Sequence, residues 1–570
     1  MAKRSAGENR KIDVIGARKR PVTDARRAKG TRGGKRAIGK WYGGKRAAAA
    51  GVSLLGLPAL GARVSGRTPI EYTNNYFGDR LSAPFMCPLA LDYKFVLETP
   101  LTVRVPSRNR YQVASAVENR LHDLAQYLST FLTHPRYGPE KEVGFVRGGT
   151  LRPIHLKELK SGTYSFEADG ILVGRADLYR FVQGKLEDKT AVPVPTPSMK
   201  AGWLHFGINM PKSPDAREVA GDEWYDFTPA KWRRRHPTIG ILGLTLRMRP
   251  RPERPVITPQ YHKLYKSGTV RVALLFGYDE FYSGHSFARD ARSIEEIITA
   301  DPKKRFKATK THPFGYQGPG LGFSKVVGAD QSQPLLFIRD AQHGGQIRIT
   351  DPTTRSVHRI NAEIRVYNFD KSSHKPSSEL VKEFVSPFRD NDVIHYDGHA
   401  NYGGGFYVGN RSNDILWAVD VGSYRDDFSA NYQIFSIGAC HSAGYFADLF
   451  YNDLKPHKSP QNLDILAGVN EEAFPDGVHI AVDLIANLLQ IDEPVVGRGL
   501  DYEQLLLEIN RPSSFQADIG VFGRPGRVVK TRLVASTDRD VSAGALRRAP
   551  RKIVRTPASR RRPAVLASIA

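Results

Sequence analysis

From about residue 268 onward, short runs that are apolar throughout alternate with stretches apolar at every third or fourth position. Val270-Arg271-Val272-Ala273-Leu274-Leu275-Phe276-Gly277 reads as a buried strand. Ala288 to Ala300 reads as a helix with Ile294, Ile297 and Ile298 on one face. Ile364 to Tyr367 predicts a second strand. Ser377 is placed to cap a helix over Ser378 to Val385, with Glu379 in its first turn. Strands follow at Asn391 to Ala400, Ile415 to Val419 and Tyr432 to Ala439, then a helix from Ala443 to Tyr451. Leu463 to Val469 and a helix from Val478 to Leu489 complete the series. Strands apolar on both faces, alternating with helices, predict an α/β fold with a mostly parallel sheet covered on both sides. In such sheets, ligands bind at the C-terminal ends of the strands.

Upstream the pattern is mixed. Phe95 to Val105 alternates loosely as a strand would. Val113, Val117, Leu121, Leu124, Leu128 and Leu132 fall at helical spacing over Val113 to Leu132. Short strand-like runs follow at 165–168, 170–174 and 239–248. Residues 66–250 are therefore expected to form a separate α+β or β-rich domain. Arg249-Pro250-Arg251-Pro252-Glu253-Arg254-Pro255 opens a stiff linker over 251–267. The α/β domain occupies 268–523, and 1–65 and 524–570 are tails.

A length of 570 residues exceeds one ordinary core, in keeping with two or more domains. The net charge of +26 suggests nucleic acid until it is located. Residues 1–46 carry 16 Lys/Arg against 3 Asp/Glu, a balance of +13. Residues 524–570 carry 13 against 2, a balance of +11, which leaves +2 for the body between. Tails of this composition cannot bury a core and are expected to be disordered. They could hold nucleic acid or an acidic surface weakly, or simply be solvated.

Two cysteines, Cys87 and Cys440, exclude a disulfide framework. Cys87 in Phe85-Met86-Cys87-Pro88-Leu89 reads as a small apolar core residue. A free thiol in the body fits a reducing, cytoplasmic compartment. No run of about 18 apolar residues exists to cross a membrane. Residues 47–62 have the mildly apolar, small-residue ending of a secretory signal, so secreted or periplasmic placement is the alternative.

The two runs ending near His399 and Cys440 carry the chemistry. Each delivers one reactive side chain at the C-terminal end of a buried strand. A thiol and an imidazole at one sheet edge make a nucleophile with its general base. The small neighbours Gly398, Ala400, Gly438 and Ala439 admit a peptide closely. Turns at both strand ends can aim backbone N–H groups at an oxyanion. The helix after Cys440 would favour thiolate. The bland alternative is an inert buried thiol and a satisfied loop histidine. His441 is expected to point away from the thiol, and His395, inside its strand, to be packing. No CxxC, HExxH or calcium-loop spacing supports a metal or cofactor. Asp426-Asp427 admits a loose calcium or peptide contact, with a solvated loop as the simpler reading. The basic cluster Pro302-Lys303-Lys304-Arg305-Phe306-Lys307 suits self-processing.

These residues resemble a known family. His395-Tyr396-Asp397-Gly398-His399 resembles the His-Tyr-Ser-Gly-His-Gly block of metacaspases and related caspase-like cysteine peptidases. Ala439-Cys440-His441-Ser442-Ala443-Gly444 resembles their Asp-x-Cys-His-Ser-Gly block. The opening strand followed by Arg289-Asp290-Ala291 is similar to their first strand and Asn-Asp-Ala helix start. The resemblance spans roughly 268–490. It implies a caspase-like sandwich, a His399–Cys440 dyad and an oxyanion hole from the N–H groups of Cys440 and Ala400. It also implies a peptide or protein substrate cleaved after Arg or Lys, with Asp290 as a pocket acid. Ala400 stands where the family has Gly and keeps its N–H; Gly438 stands where it has a second pocket Asp, which weakens basic specificity. A catalytically inactive binding or scaffold protein on the same fold is the alternative.

Overall fold

The computed structural model describes residues 83–88, 90–105, 109–133, 144–147, 150–175, 178, 198–212, 227–277, 287–307, 316–326, 334–351, 354–369, 375–399, 405–409, 414–439, 442–469, 474–491, 500–510 and 519–530. All fall within one compact unit, Arg63 to Ala570. The basic tails, apart from 524–530, lie outside the described residues.

The first part of the chain contributes β1 (Phe85–Met86), β2 (Ala90–Arg104), α1 (Arg110–Thr133), β3 (Gly144–Val146), β4 (Arg152–Lys160), β5 (Thr163–Arg175), β6 (Ser198–Lys200), β7 (Trp203–Pro211), α2 (Pro229–Arg235) and β8 (Ile241–Pro250). Apart from β1, these strands form a seven-stranded antiparallel sheet ordered β3-β5-β2-β8-β7-β6, with β4 beside β5. The stripe predicted on α1, Val113 to Leu128, is buried against Phe95, Leu97, Phe206 and Leu246 on one sheet face. Thr228 Oγ1 accepts the Lys231 N–H at 3.3 Å and caps α2, whose Trp232 enters the same core. The two runs read around 165 and 172 are one strand, β5. Gly170 does not break it, because its missing Cβ leaves room for the Phe95 ring.

The rest contributes β9 (Glu253–Ile257), α3 (Tyr261–Leu264), β10 (Thr269–Phe276), α4 (Phe287–Thr299), β11 (Ser324–Val326), β12 (Leu335–Arg339), β13 (Ile347–Thr350), β14 (Val357–Asn368), α5 (Ser377–Val385), α6 (Pro387–Asp390), β15 (Val393–Asp397), β16 (Gly405–Tyr407), β17 (Ile415–Trp417), β18 (Gln433–Gly438), α7 (Ser442–Tyr445), α8 (Ala447–Asp453), β19 (Leu463–Ala467), α9 (Phe474–Leu488), α10 (Tyr502–Asn510), β20 (Gly520–Phe522) and β21 (Pro525–Lys530). Ten strands make a sheet ordered β1-β20-β19-β18-β15-β10-β14-β12-β11, with β13 beside β14. Successive side chains on β15 alternate between two cores: Val393 joins α4, α9 and α10, whereas Ile394 and Tyr396 join α5, α7 and α8. This is an α/β fold with its apolar strands covered on both faces.

Several expectations are corrected. The sheet is mixed rather than mostly parallel. Strands β14, β10, β15, β18 and β19 run parallel, but β11, β12, β13 and β20 pair antiparallel, and so does β1. Ser377 is the first residue of α5 rather than its cap, and its hydroxyl donates to Asp414 Oδ1 at 2.5 Å. The Ile415 run leaves the main sheet for a hairpin with β16. The proline-rich stretch after 250 is not bare linker, nor is the second tail unstructured from its first residue. β9 and β21 pair as a two-stranded ribbon, where an edge tolerates Pro255.

The two sheets share a seam. β1 joins the larger sheet through β20, and Phe85, Ala90, Phe145 and Val173 lie in one core with Ala439, Ala443 and Phe522. The buried Arg147 guanidinium donates to the Ala83 carbonyl, stands 3.9 Å from Asp92 and lies 5.5 Å from the centre of the Phe522 ring. Burial pushes the Asp92 carboxyl up, while Arg147 and Arg251 pull it down. Cys87 is buried, its thiol facing the Ile519 carbonyl at 3.8 Å, in line with a small core residue.

Candidate active site

β15 and β18 are neighbours in the parallel centre of the sheet, and their register pairs Asp397 with Gly438. Just beyond, the Gly398 N–H donates to the Gly438 carbonyl at 3.0 Å, and the Gly277 N–H donates to the Asp397 carbonyl at 2.8 Å. The ends of β10, β15 and β18 are thus tied at one rim. His399 stands half-buried at this rim, two residues past Asp397. Cys440 is two residues past Gly438 in the chain, and lies outside the described residues, as do Ala400 and His441. Asp290 is the fourth residue of α4; its side chain is outside the description.

The turn bearing His399 is built around one hydroxyl. Tyr396 points to the face opposite Asp397, its ring edge-on to Phe384 at 5.6 Å and Phe406 at 4.8 Å. Its hydroxyl donates to the His399 carbonyl at 2.9 Å and accepts the Tyr407 N–H at 3.2 Å. Burial holds this phenol well above its usual range, so it remains a donor. The arrangement needs glycine at two places. A Cβ on Gly398 would sit 2.2 Å from the Tyr396 oxygen, and one on Gly277 would sit 2.9 Å from it. The His399 ring meets Tyr407 edge-on, centroids 6.0 Å apart.

The described residues on either side of Cys440 are also fixed. The buried Ser442 hydroxyl donates to the Ile437 carbonyl at 3.0 Å and accepts the Gly468 N–H at 2.9 Å. The Ser442 N–H donates to the Ala439 carbonyl at 3.2 Å, and Ala443 N–H to Gly468 carbonyl at 2.9 Å. The single helix expected over Ala443 to Tyr451 is instead two short ones, α7 and α8, interrupted at Phe446. A four-residue helix has little macrodipole, so thiolate stabilisation by that route is small.

On the other face of the strands lies a buried polar group that sequence reasoning passed over. Asp397 packs against Gly477 in the first turns of α9, where a Cβ would fall 2.2 Å from its carboxylate. His395 is fully buried, with Nδ1 3.0 Å from Ser436 Oγ. Burial, reinforced by His479 of α9, lowers its pKa to about 3. His395 is therefore a neutral packing group, as expected, and no proton acceptor at neutral pH. The signal for Asp397 and Gly477 was available only as an ionisable residue inside an apolar strand.

Other candidates resolve differently. Asp427 accepts from Arg389 at 2.6 Å, while Asp426 is exposed, 4.0 Å from His457. Among the described residues no group of three or more His, Cys, Asp or Glu is gathered as a metal would require. Lys303, Lys304 and Arg305 are exposed, but the backbone around them is hydrogen-bonded: Gly320 N–H donates to Lys304 carbonyl, and Phe306 N–H to Gly318 carbonyl, both at 2.8 Å. A polar groove of about 650 Å³ opens at the opposite rim, lined by Arg271, Arg365, Arg389 and Asp392. Arg365 and Arg389 there are matched to Glu363 and Asp427. No described helix is long and apolar enough to cross a membrane.

No family model matches this chain, and no curated protein does. Among solved structures it is similar to the crystal structure of the Arg-specific cysteine proteinase gingipain R, at 12% identity and a TM-score of 0.25. The match covers 49% of this chain and 50% of that one, so it spans about half the length of the solved protein.

Proposed function

We propose that this chain is a cysteine endopeptidase of the caspase-like type, with Cys440 as nucleophile and His399 as general base. The observation that carries the reading is the register of β15 on β18. Asp397 faces Gly438, and each candidate residue follows its strand end by two positions. In this reading the His399 imidazole takes the Cys440 proton and the thiolate attacks the scissile carbonyl carbon. The backbone N–H groups of Cys440 and Ala400 receive the resulting oxyanion. Collapse breaks the C–N bond, and imidazolium returns the proton to the leaving amine. Water, deprotonated by His399, then releases the acyl group and restores the thiol. The pinned His399 carbonyl supports this role, because a base held by Tyr396 need not be ordered at each turnover.

Cleavage after Arg or Lys, with Asp290 contributing to the pocket, is part of the proposal. A fluorogenic panel varying the residue before the scissile bond tests it. Arg and Lys substrates should be cleaved best, and Cys440→Ala should abolish cleavage while the far-ultraviolet dichroism is unchanged. Best cleavage after acidic or small apolar residues contradicts the specificity; full activity in Cys440→Ala contradicts the dyad.

A further inference from the structure

The smaller sheet has one face packed on α1 and a second face whose two ends differ. At one end, Phe145, Val173 and Asp92 project together, as their cross-strand pairing requires. Phe145 and Val173 are buried in the seam, and the Phe145 ring meets Gly444, where a Cβ would fall 3.1 Å from it. Gly444 is four residues past Cys440. Two residues further along β2 the same face turns basic. Lys94 is paired with Arg249, and Arg249 and Arg247 lie over the Trp203 ring at 4.5 and 4.8 Å from its centre. Lys200 pairs with Trp203 at the sheet edge.

The charges on this face do not cancel. Glu98 is engaged by His205 at 3.3 Å and Arg247 at 3.6 Å; Asp169 is engaged by Arg152 at 2.5 Å and Lys94 at 4.0 Å. Among the described residues Arg249 and Lys200 pair with no carboxylate, and both are exposed. Two residues along a strand cover about 7 Å, and the three to five strands from Phe145 on β3 to Arg249, Trp203 and Lys200 cover about 14–24 Å. The patch therefore lies about 15–25 Å from the contact of Phe145 with Gly444, the reach of roughly five to eight extended residues.

The geometry points to this basic, Trp203-centred sheet face as a docking surface for an extended acidic segment of the polypeptide substrate, flanking the bond to be cut. This rests on the peptidase reading and adds a substrate class to it. Carboxylates would take Arg249 and Lys200, and Lys94 as well, since Asp169 is held more closely by Arg152 than by Lys94, while the Trp203 ring, braced by two guanidinium groups, offers an apolar ledge between them. Nucleic acid could use the same cations. Continuity with the seam beside Gly444 favours polypeptide.

The test is fluorescence anisotropy on the full chain carrying Cys440→Ala, so that nothing is cleaved. The probe is a labelled twelve-residue peptide with alternating Asp and Gly. Adding Lys94→Glu and Arg249→Glu should weaken binding about tenfold, as loss of two charge contacts implies. Both proteins keep the basic tails, so tail binding contributes equally. Should the double variant misfold by dichroism, Arg249→Gln alone should weaken binding about threefold. Unchanged affinity overturns the proposal, as does an oligonucleotide of equal charge that binds tighter with the same dependence on Lys94 and Arg249. With Cys440 intact, kcat/KM should favour an acid-extended substrate over a Gly-Ser-extended one, and the double variant should bring that ratio to about one. Failure to cleave either substrate counts against the peptidase, while the anisotropy still judges the surface.

Discussion

At the residue scale, the Tyr396 hydroxyl organises the turn that presents His399. It bonds the carbonyl of His399 and the amide of Tyr407 at once. Tyr396→Phe keeps the ring packed on Phe384 and Phe406 and removes only this pin. Two half-buried groups then lose a partner, and stability should fall by about 1 kcal/mol. If His399 is the base proposed above, peptide cleavage should drop in kcat by about tenfold or more with KM little changed, because the imidazole rather than the binding surface is released. Paired urea denaturation and steady-state kinetics check this; an equal loss in both kinetic constants argues against a role through His399. His395 supplies a pH dependence. Its pKa is depressed from 6.5 to about 3, so the unfolded chain binds this proton first as pH falls. Its contribution is full above about pH 6.5 and is lost progressively down to about 3. The groups around it are Ser436 on β18 and His479 on α9, with Asp397 two positions along β15 on the same face. At pH 5 the loss should be about 2 kcal/mol. Urea midpoints at pH 7.5 and 5 should therefore diverge more in the native protein than in His395→Leu, and parallel shifts would remove His395 as the cause.

At the scale of elements, the buried strands were the most legible part of the chain. β10, β15, β18 and β19 are largely buried on both faces because helices cover both, and their mainly apolar runs announce them. The edges were not. β11, β12 and β13 are short, contain Lys325, Arg339 and Arg348, and are ordered by pairing outward from β14, with β12 and β13 on β14 and β11 on β12, so no local pattern marks them. Nor does an apolar run record its direction, which is why the antiparallel edges escaped. That His399 would stand at a strand end was legible because a buried run precedes it and small residues flank it. Tyr396 stood in the same block, but its task depends on Gly277 and Tyr407, both distant in sequence. The fit of α9 on β15 is likewise tertiary: Asp397 occupies the space a side chain on Gly477 would fill. Gly477→Ala would ordinarily favour a helix, yet here it should destabilise by about 2–4 kcal/mol through overlap with a short, buried carboxylate. Thermal unfolding decides this, and a neutral or stabilising result would show that α9 can shift away from the strand end.

At the scale of the whole molecule, the seam explains why two sheets belong to one compact unit. β1 is a strand of the larger sheet although it precedes the smaller one, and Arg147 spans the junction from Asp92 to Phe522. The smaller sheet is therefore built against the side of the larger one that carries Ala439 and Ala443, the described neighbours of Cys440. If the chain is a peptidase, the Cys440 thiol and the His399 imidazole must act together. The most direct measurement is intact-mass and peptide-mapping spectrometry after brief incubation with an acyloxymethyl ketone bearing Arg next to the reactive group. One adduct, confined to Cys440, formed far more slowly in His399→Ala and blocked by a competing peptide, is the predicted result. No adduct, or labelling of Cys440 at the same rate without His399, would contradict the dyad.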